Sequence, residues 1–261
     1  MNILDQIVAR KREIIRERRK MMPCDSLKHS EYFAIKGHSL VERLNDAQAS
    51  GIIAEFKRQS PSKGIINAKA SVTEVTQQYR LAGASGLSVL TDTDFFGGTT
   101  DDFFSARTVN RMPILRKDFI VDEYQVYETK AMGADVMLLI AECLTAEEVR
   151  TLARLAKELN LEIIMEIHSE EQLDKYIPEI DIIGVNNRNL KTFEVSIEQS
   201  KRLFDKLPKE AVKISESGIS NISAIKELQQ VGYKGFLIGE NFMKTENPGY
   251  AAEQFIKELR S

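Results

Sequence analysis

Lysines and carboxylates stand at the ends of a series of short apolar runs. One run ends Glu55-Phe56-Lys57-Arg58-Gln59-Ser60-Pro61-Ser62-Lys63-Gly64, and another ends Leu115-Arg116-Lys117-Asp118-Phe119. Others end Met165-Glu166-Ile167-His168, Gly184-Val185-Asn186-Asn187-Arg188, Ser215-Glu216-Ser217-Gly218-Ile219 and Ile238-Gly239-Glu240. Side chains alternate along extended backbone, so Glu55 and Lys57 share a face opposite Phe56. An acid and an ammonium side by side inside a fold are costly unless paired or used. Taken alone, that pair fits a structural ion pair as well as it fits catalysis. The recurrence of polar residues at the same end of run after run strains a separate structural explanation for each. A convergent site of lysines, glutamates and an asparagine accounts for them together. Such groups suit proton transfer: an ammonium stabilises and protonates a developing oxyanion, and a carboxylate takes or returns a proton.

The elements that must position these residues follow from the alternation of the chain. Apolar runs rich in β-formers lie at Ile52–Phe56, Gly86–Leu90, Met112–Leu115, Val136–Ile140, Glu162–Ile167, Ile180–Val185, Val212–Ser215 and Phe236–Ile238. Between them come charged stretches of helical period, among them Val72–Ala82, Glu123–Met132, Ala146–Leu159, Glu170–Tyr176, Ile197–Lys206 and Ile222–Val231. Thr145 and Ser169 each precede acidic residues and read as N-caps. Gly83, Gly133 and Gly232 fall just past helices, where a left-handed C-cap needs glycine. Strand–helix alternation implies a parallel sheet. Eight strands in 261 residues favour a closed (β/α)8 TIM barrel, read as one domain over 1–261 with residues 1–50 as an N-terminal helical extension.

That extension opens with a helix over Ile3–Lys20, with an apolar stripe of Ile3, Leu4, Ile7, Val8, Ile14 and Ile15. Its other face carries Arg10, Lys11, Arg12, Arg16, Arg18, Arg19 and Lys20, and Pro23 closes it. A basic amphipathic helix can bind a membrane or a partner. The narrow stripe and the lack of aromatics favour a solvated face on a helix packed against the barrel. A further helix is expected over Ser39–Gln48.

Barrels of this kind keep their active sites at the carboxyl ends of the strands, with phosphate often held by the loops after the last two. Ser217-Gly218 and Gly239-Glu240 occupy those positions, and glycine lets backbone N–H groups approach an anion closely. Lys57 or Arg188 could supply the counter-charge. The net charge of −3 argues against a general nucleic-acid binder. Cys24 and Cys143 read as free thiols. His29, His38 and His168 have no metal-site spacing, which argues against zinc. No signal-peptide core and no span of about 18 apolar residues is present, so a cytoplasmic protein with no membrane contact is expected.

The stretches IAEFKRQSPSKG, SVLTDTDFFGG, PILRKDF, IIMEIH, GVNNRNL, ISESGIS and LIGENFM closely resemble indole-3-glycerol-phosphate synthases, enzymes of tryptophan biosynthesis. The opening ILDQIVARKREII also looks like that family's extension, so the resemblance runs over nearly the whole chain. It implies ring closure, decarboxylation and dehydration of 1-(2-carboxyphenylamino)-1-deoxyribulose 5-phosphate, giving indole-3-glycerol phosphate, carbon dioxide and water. It implies no metal or organic cofactor. By motif, Lys117 resembles the general acid of ring closure and Glu166 the acid/base of dehydration. Glu55 and Asn186 resemble orienting residues, and Glu216 and Ser217 fall at further active-site positions. Lys57 and Arg188 look like phosphate contacts, with Gly218, Gly239 and Glu240 offering backbone N–H groups. Phe96 and Phe119 resemble walls around the anthranilate ring, and Ser60 sits on the loop after the first strand, mobile in that family. A carboxylate pointing inward at Glu240 would repel a dianion, so its side chain is expected to face solvent. Two other readings stay open: an aldolase-like lysine forming a Schiff base, and a non-catalytic phosphate-binding barrel. The oligomeric state is open to a monomer or a larger assembly.

Overall fold

The computed structural model describes residues 3–189 and 194–261. Eight parallel strands close into a barrel: β1 (Ile52–Phe56), β2 (Gly86–Leu90), β3 (Ile114–Lys117), β4 (Val136–Ile140), β5 (Glu162–Ile167), β6 (Ile182–Asn186), β7 (Val212–Glu216) and β8 (Gly235–Ile238). Each strand pairs with its sequence neighbours, and β1 closes the ring by pairing Ile52 with Phe236 on β8. Helices at Val72–Leu81, Thr100–Val109, Glu123–Ala131, Ala146–Glu158, Glu198–Leu203, Ile222–Val231 and Pro248–Arg260 surround it. The expected barrel is therefore the observed one, with helices ahead of β1.

Local chemistry sets the element ends. Thr145 forms a capping box with Glu148, and Ser39 accepts a hydrogen bond from the Glu42 N–H. Both satisfy amide groups that a helix start leaves free. Gly133 turns the chain at φ +78°, with Tyr32 so close that a Cβ would sit 2.8 Å from its ring. The helix at Thr100–Val109 lacks a clean apolar stripe, yet its start is signalled by a Thr99–Asp102 capping box.

Several boundaries differ from expectation: the helix expected over Ser39–Gln48 spans Leu40–Asn45, and the sixth strand runs Ile182–Asn186 rather than Ile180–Val185. β3 runs on through Arg116 and Lys117 rather than stopping at Leu115, because buried ion pairs on its outer face satisfy a charged strand end. Glu170–Lys175 is a 3-10 helix, and Ser169 gives it no side-chain cap. Ile197–Lys206 divides into an α-helix at Glu198–Leu203 and a 3-10 turn at Phe204–Lys206.

The barrel has two ends of different character. Its lower interior is apolar, built from Ile53, Leu115, Val136, Ile164, Ile182, Val212 and Ile214, with Leu138 and Leu237 of the same cluster reaching the upper end. Leu40 and Leu44, on a helix at Leu40–Asn45, join that cluster. Glu162 anchors this helix by accepting from the Leu40 and Val41 amides at 2.8 and 3.1 Å. The upper interior is where the polar strand ends emerge.

Helix α1 (Ile3–Met21) packs against the barrel. Its basic face is occupied by acids of the barrel: Arg10 meets Asp94 at 2.7 Å, Arg12 meets Glu148 at 3.2 Å, and Arg18 meets Glu128 at 3.0 Å. Lys11, expected on the solvated face, is buried. Its ammonium lies 2.8 Å from both Asp92 and Asp118, and those two charges make the burial tolerable. Among the described residues no helix is long and apolar enough to cross a membrane.

Candidate active site

Strand alternation sends Glu55, Lys117, Glu166, Asn186 and Glu216 into the upper barrel. They converge. The Lys117 Nζ lies 2.6 Å from Glu166 Oε2 and 3.4 Å from Glu216 Oε2. Asn186 Nδ2 donates to the other Glu166 oxygen at 2.9 Å. Lys57, one residue beyond β1, pairs with Glu55 Oε1 at 2.8 Å. The second Glu55 oxygen accepts from the Ser88 hydroxyl of β2 at 3.2 Å.

Two glycines make this crowding feasible. A Cβ on Gly184 would lie 2.2 Å from Glu216 Oε1, and one on Gly239 would lie 2.6 Å from Glu55 Oε1. Any larger residue there would expel a carboxylate from the cluster.

The charges are unequal in character. Burial works against the Lys117 ammonium, but Glu166, Glu216 and Glu55 more than offset it and raise its pKa above the usual lysine range. Burial also opposes ionisation of Glu166; the Lys117 ammonium outweighs it and draws the carboxyl down to about 2. Glu216 shows the opposite balance. Burial, reinforced by repulsion from Glu166 and Glu55, pushes it up to about 8 despite Lys117. Its Oε1 finds no hydrogen-bond partner among the described residues. Within the cluster, burial thus favours the protonated form of Glu216, while the Lys117 ammonium favours the ionised form of Glu166.

Above the cluster opens a cavity of about 440 Å³. Every residue expected at the site lines it: Glu55, Lys57, Ser60, Phe96, Lys117, Phe119, Glu166, Asn186, Arg188, Glu216, Ser217, Gly218, Gly239 and Glu240. On one side Phe96 and Phe119 pack with ring centroids 6.0 Å apart, tilted by 40°. Other lining groups are Ser217 and Gly218, consecutive left-handed residues at φ +66° and +73°, together with Gly239, Arg188, Lys63 and Lys244. The Glu240 side chain is 37% exposed, and its carboxylate lies 3.7 Å from Lys63 Nζ and 3.9 Å from Arg188 Nη2.

Several residues in or behind the site escaped the strand-end reading. Lys63 was visible in the SPSKG motif without a role attached, whereas Ser88 looked like an ordinary strand residue. Ile3, Leu4 and Ile7 of α1 also face the cavity, and their apolar stripe had signalled packing alone. His168 sits beside Glu166, its Nε2 3.4 Å from Oε1 but outside hydrogen-bond geometry; burial first, opposed by Glu166, lowers its pKa. Among the described residues no group of three or more His, Cys, Asp or Glu is arranged to hold a metal ion.

The likeness to solved structures concerns the fold. A tryptophan synthase subunit alpha from Legionella pneumophila aligns at TM-score 0.61 and 14% identity, covering 85% of this chain and 95% of that one. A 3-hexulose-6-phosphate synthase from Salmonella typhimurium aligns at TM-score 0.64 and 12% identity, covering 80% and 98%. Sequence likeness is much closer elsewhere. An indole-3-glycerol phosphate synthase from Bacteroides thetaiotaomicron is 46% identical over 259 residues, covering 99% of both chains. Others from Polaromonas naphthalenivorans and Caldanaerobacter subterraneus are 40% and 38% identical, each covering at least 98% of both chains. The family model described as indole-3-glycerol phosphate synthase matches residues 4–259, and the chain belongs to that family.

Proposed function

We propose that the chain converts 1-(2-carboxyphenylamino)-1-deoxyribulose 5-phosphate to indole-3-glycerol phosphate, carbon dioxide and water, with the work divided among the residues above. The observation that carries this is the Lys117–Glu166–Glu216 cluster lining one cavity with an aromatic pair and with backbone and cationic groups suited to phosphate.

The substrate's ring is held by Phe96 and Phe119, and its phosphate by Arg188, Lys63 and the amides around Gly218 and Gly239. Holding both ends folds the chain so that the ring carbon bearing the carboxylate faces the ketone carbon. As the new C–C bond forms, the ketone oxygen gains charge, and the Lys117 ammonium donates a proton to it. Carbon dioxide leaves with its bond electrons returning to the ring, which restores aromaticity. The new hydroxyl then departs as water. That step needs a proton at oxygen and loss of one from the ring carbon beside nitrogen. Glu166 serves as the proton acceptor, Lys117 reprotonated from solvent after ring closure or protonated Glu216 supplies the acid, and Asn186 and Glu55 orient them. Lys57 and Ser217 complete the polar side, and Ser60 lies on the turn that borders the cavity.

A lysine whose ammonium is held by the Glu166 carboxylate at 2.6 Å is a poor amine nucleophile, which counts against an aldolase-like Schiff base. On this proposal the protein is cytoplasmic and its partner is a small phosphorylated metabolite. Incubation with the carboxyphenylamino-deoxyribulose phosphate should produce indole fluorescence with loss of one carbon dioxide per turnover. Folded protein that gives no signal would overturn the proposal.

A further inference from the structure

We infer that Lys11 is a positioning residue for the aromatic wall of the site, acting from outside the barrel. Its ammonium is 3% exposed and sits 2.8 Å from one oxygen each of Asp92 and Asp118, themselves buried. Each carboxylate also holds backbone that carries the wall. Asp92 accepts from the Phe95 N–H at 2.9 Å and caps the short turn Thr93–Phe96. Asp118 accepts from the Phe119 N–H at 2.8 Å and directly follows Lys117. Lys11 itself stands one helical turn from Ile7, which lines the cavity with Ile3 and Leu4.

One buried cation therefore joins three elements that wall the cavity: α1, the turn bearing Phe96, and the end of β3 bearing Lys117 and Phe119. Without it, two buried carboxylates would face each other without their shared counter-charge, and the backbone at Phe95 and Phe119 would part. Arg116 also reaches Asp118, but among the described residues no other cation is shared between Asp118 and Asp92. The groups lining the other side of the cavity, Ser217, Gly218 and Gly239, follow β7 and β8, whereas the ion pairs of Lys11 go to Asp92 and Asp118.

This inference rests on the pocket taking an aryl group and a phosphate, so the test separates the two. Lys11→Met should lower turnover on the order of a hundredfold, the penalty for displacing reacting groups by about an ångström. Anthranilate, a probe of the aryl wall read by its own fluorescence, should bind about tenfold more weakly, while inorganic phosphate binding changes by less than about twofold. Arg12→Met, on the exposed side of the same helix, should alter neither. If Lys11→Met does not fold, Lys11→Met/Asp92→Asn removes one charge of each sign, keeps an oxygen for the Phe95 amide, and should show the same selective loss. Unchanged anthranilate binding in a folded variant, or equal weakening of both ligands, overturns the inference. Wild-type protein that makes no indole product would instead sink the proposed reaction.

Discussion

Strand β3 carries two charge clusters on opposite faces, and they are built differently. Outward, Arg116 and Asp118 meet Glu128, Lys11, Thr91 and Thr129, all at hydrogen-bond distance. Burial opposes the Asp118 charge, yet Lys11 and Arg116 hold its carboxyl well below the usual range. Inward, one residue between them, Lys117 faces two carboxyl groups at unequal distances, and one of these keeps its proton and leaves an oxygen without a partner. The outer cluster is closed and matched. The inner one is left short of partners, which is the state of groups that must exchange protons with a ligand.

Substitutions can break or sharpen that contrast. Removing the inner ammonium should have the largest effect. Lys117→Ala should cut turnover about 10³-fold or more while leaving phosphate-ligand affinity nearly intact. An unchanged turnover number would remove Lys117 from the chemistry. The outer face should answer in stability. Arg116→Met strands the buried Asp118 and Glu128 with fewer partners and should cost about 3 kcal/mol in urea unfolding. Turnover per folded molecule should fall less than about tenfold, since Lys11 still holds Asp118 and Arg116 itself does not line the cavity. Equal losses of stability in Arg116→Met and Lys117→Ala would erase the distinction.

Glu166→Gln removes a proton acceptor and leaves one oxygen to accept from either Lys117 or Asn186, but not from both. It should slow turnover about a hundredfold, with the ring-closed alcohol accumulating before dehydration. Normal rates without that intermediate would count against the assignment.

Glu216→Gln should have the smallest effect at neutral pH, where both side chains are uncharged. Its signature lies in pH dependence. The folded carboxyl titrates at about 8 against an ordinary 4.5, so the folded state holds a proton that the unfolded chain has released. This contribution is complete below about 4.5 and is lost as pH rises towards 8. The stability of wild type relative to Glu216→Gln should therefore fall across that window and level off above it. A flat difference between the two proteins would show that Glu216 ionises like an ordinary glutamate.

Much of the site was legible because strand geometry is periodic. Polar residues terminating apolar runs had to project from one end of a parallel barrel, and a two-residue alternation placed Glu55 and Lys57 together. The resemblance of the motifs added the chemistry. What periodicity hid was any feature made by contact between distant segments. Arg116 looked like the end of a strand and is inside one, because its partners come from a helix and from the preceding strand's end. Gly184 looked like a strand glycine, and its missing side chain makes room for Glu216, 32 residues later.

The N-terminal helix draws the line most clearly. Its amphipathic stripe and basic face could be read directly from the residues, because a 3.6-residue period orders them whatever the helix packs against. That Ile3, Leu4 and Ile7 line the cavity, and that Lys11 is buried between Asp92 and Asp118, could not. Local sequence determines which side chains share a face. Only the closure of the barrel determines what that face meets, and a buried charge is tolerated only where the fold brings its counter-charges to it.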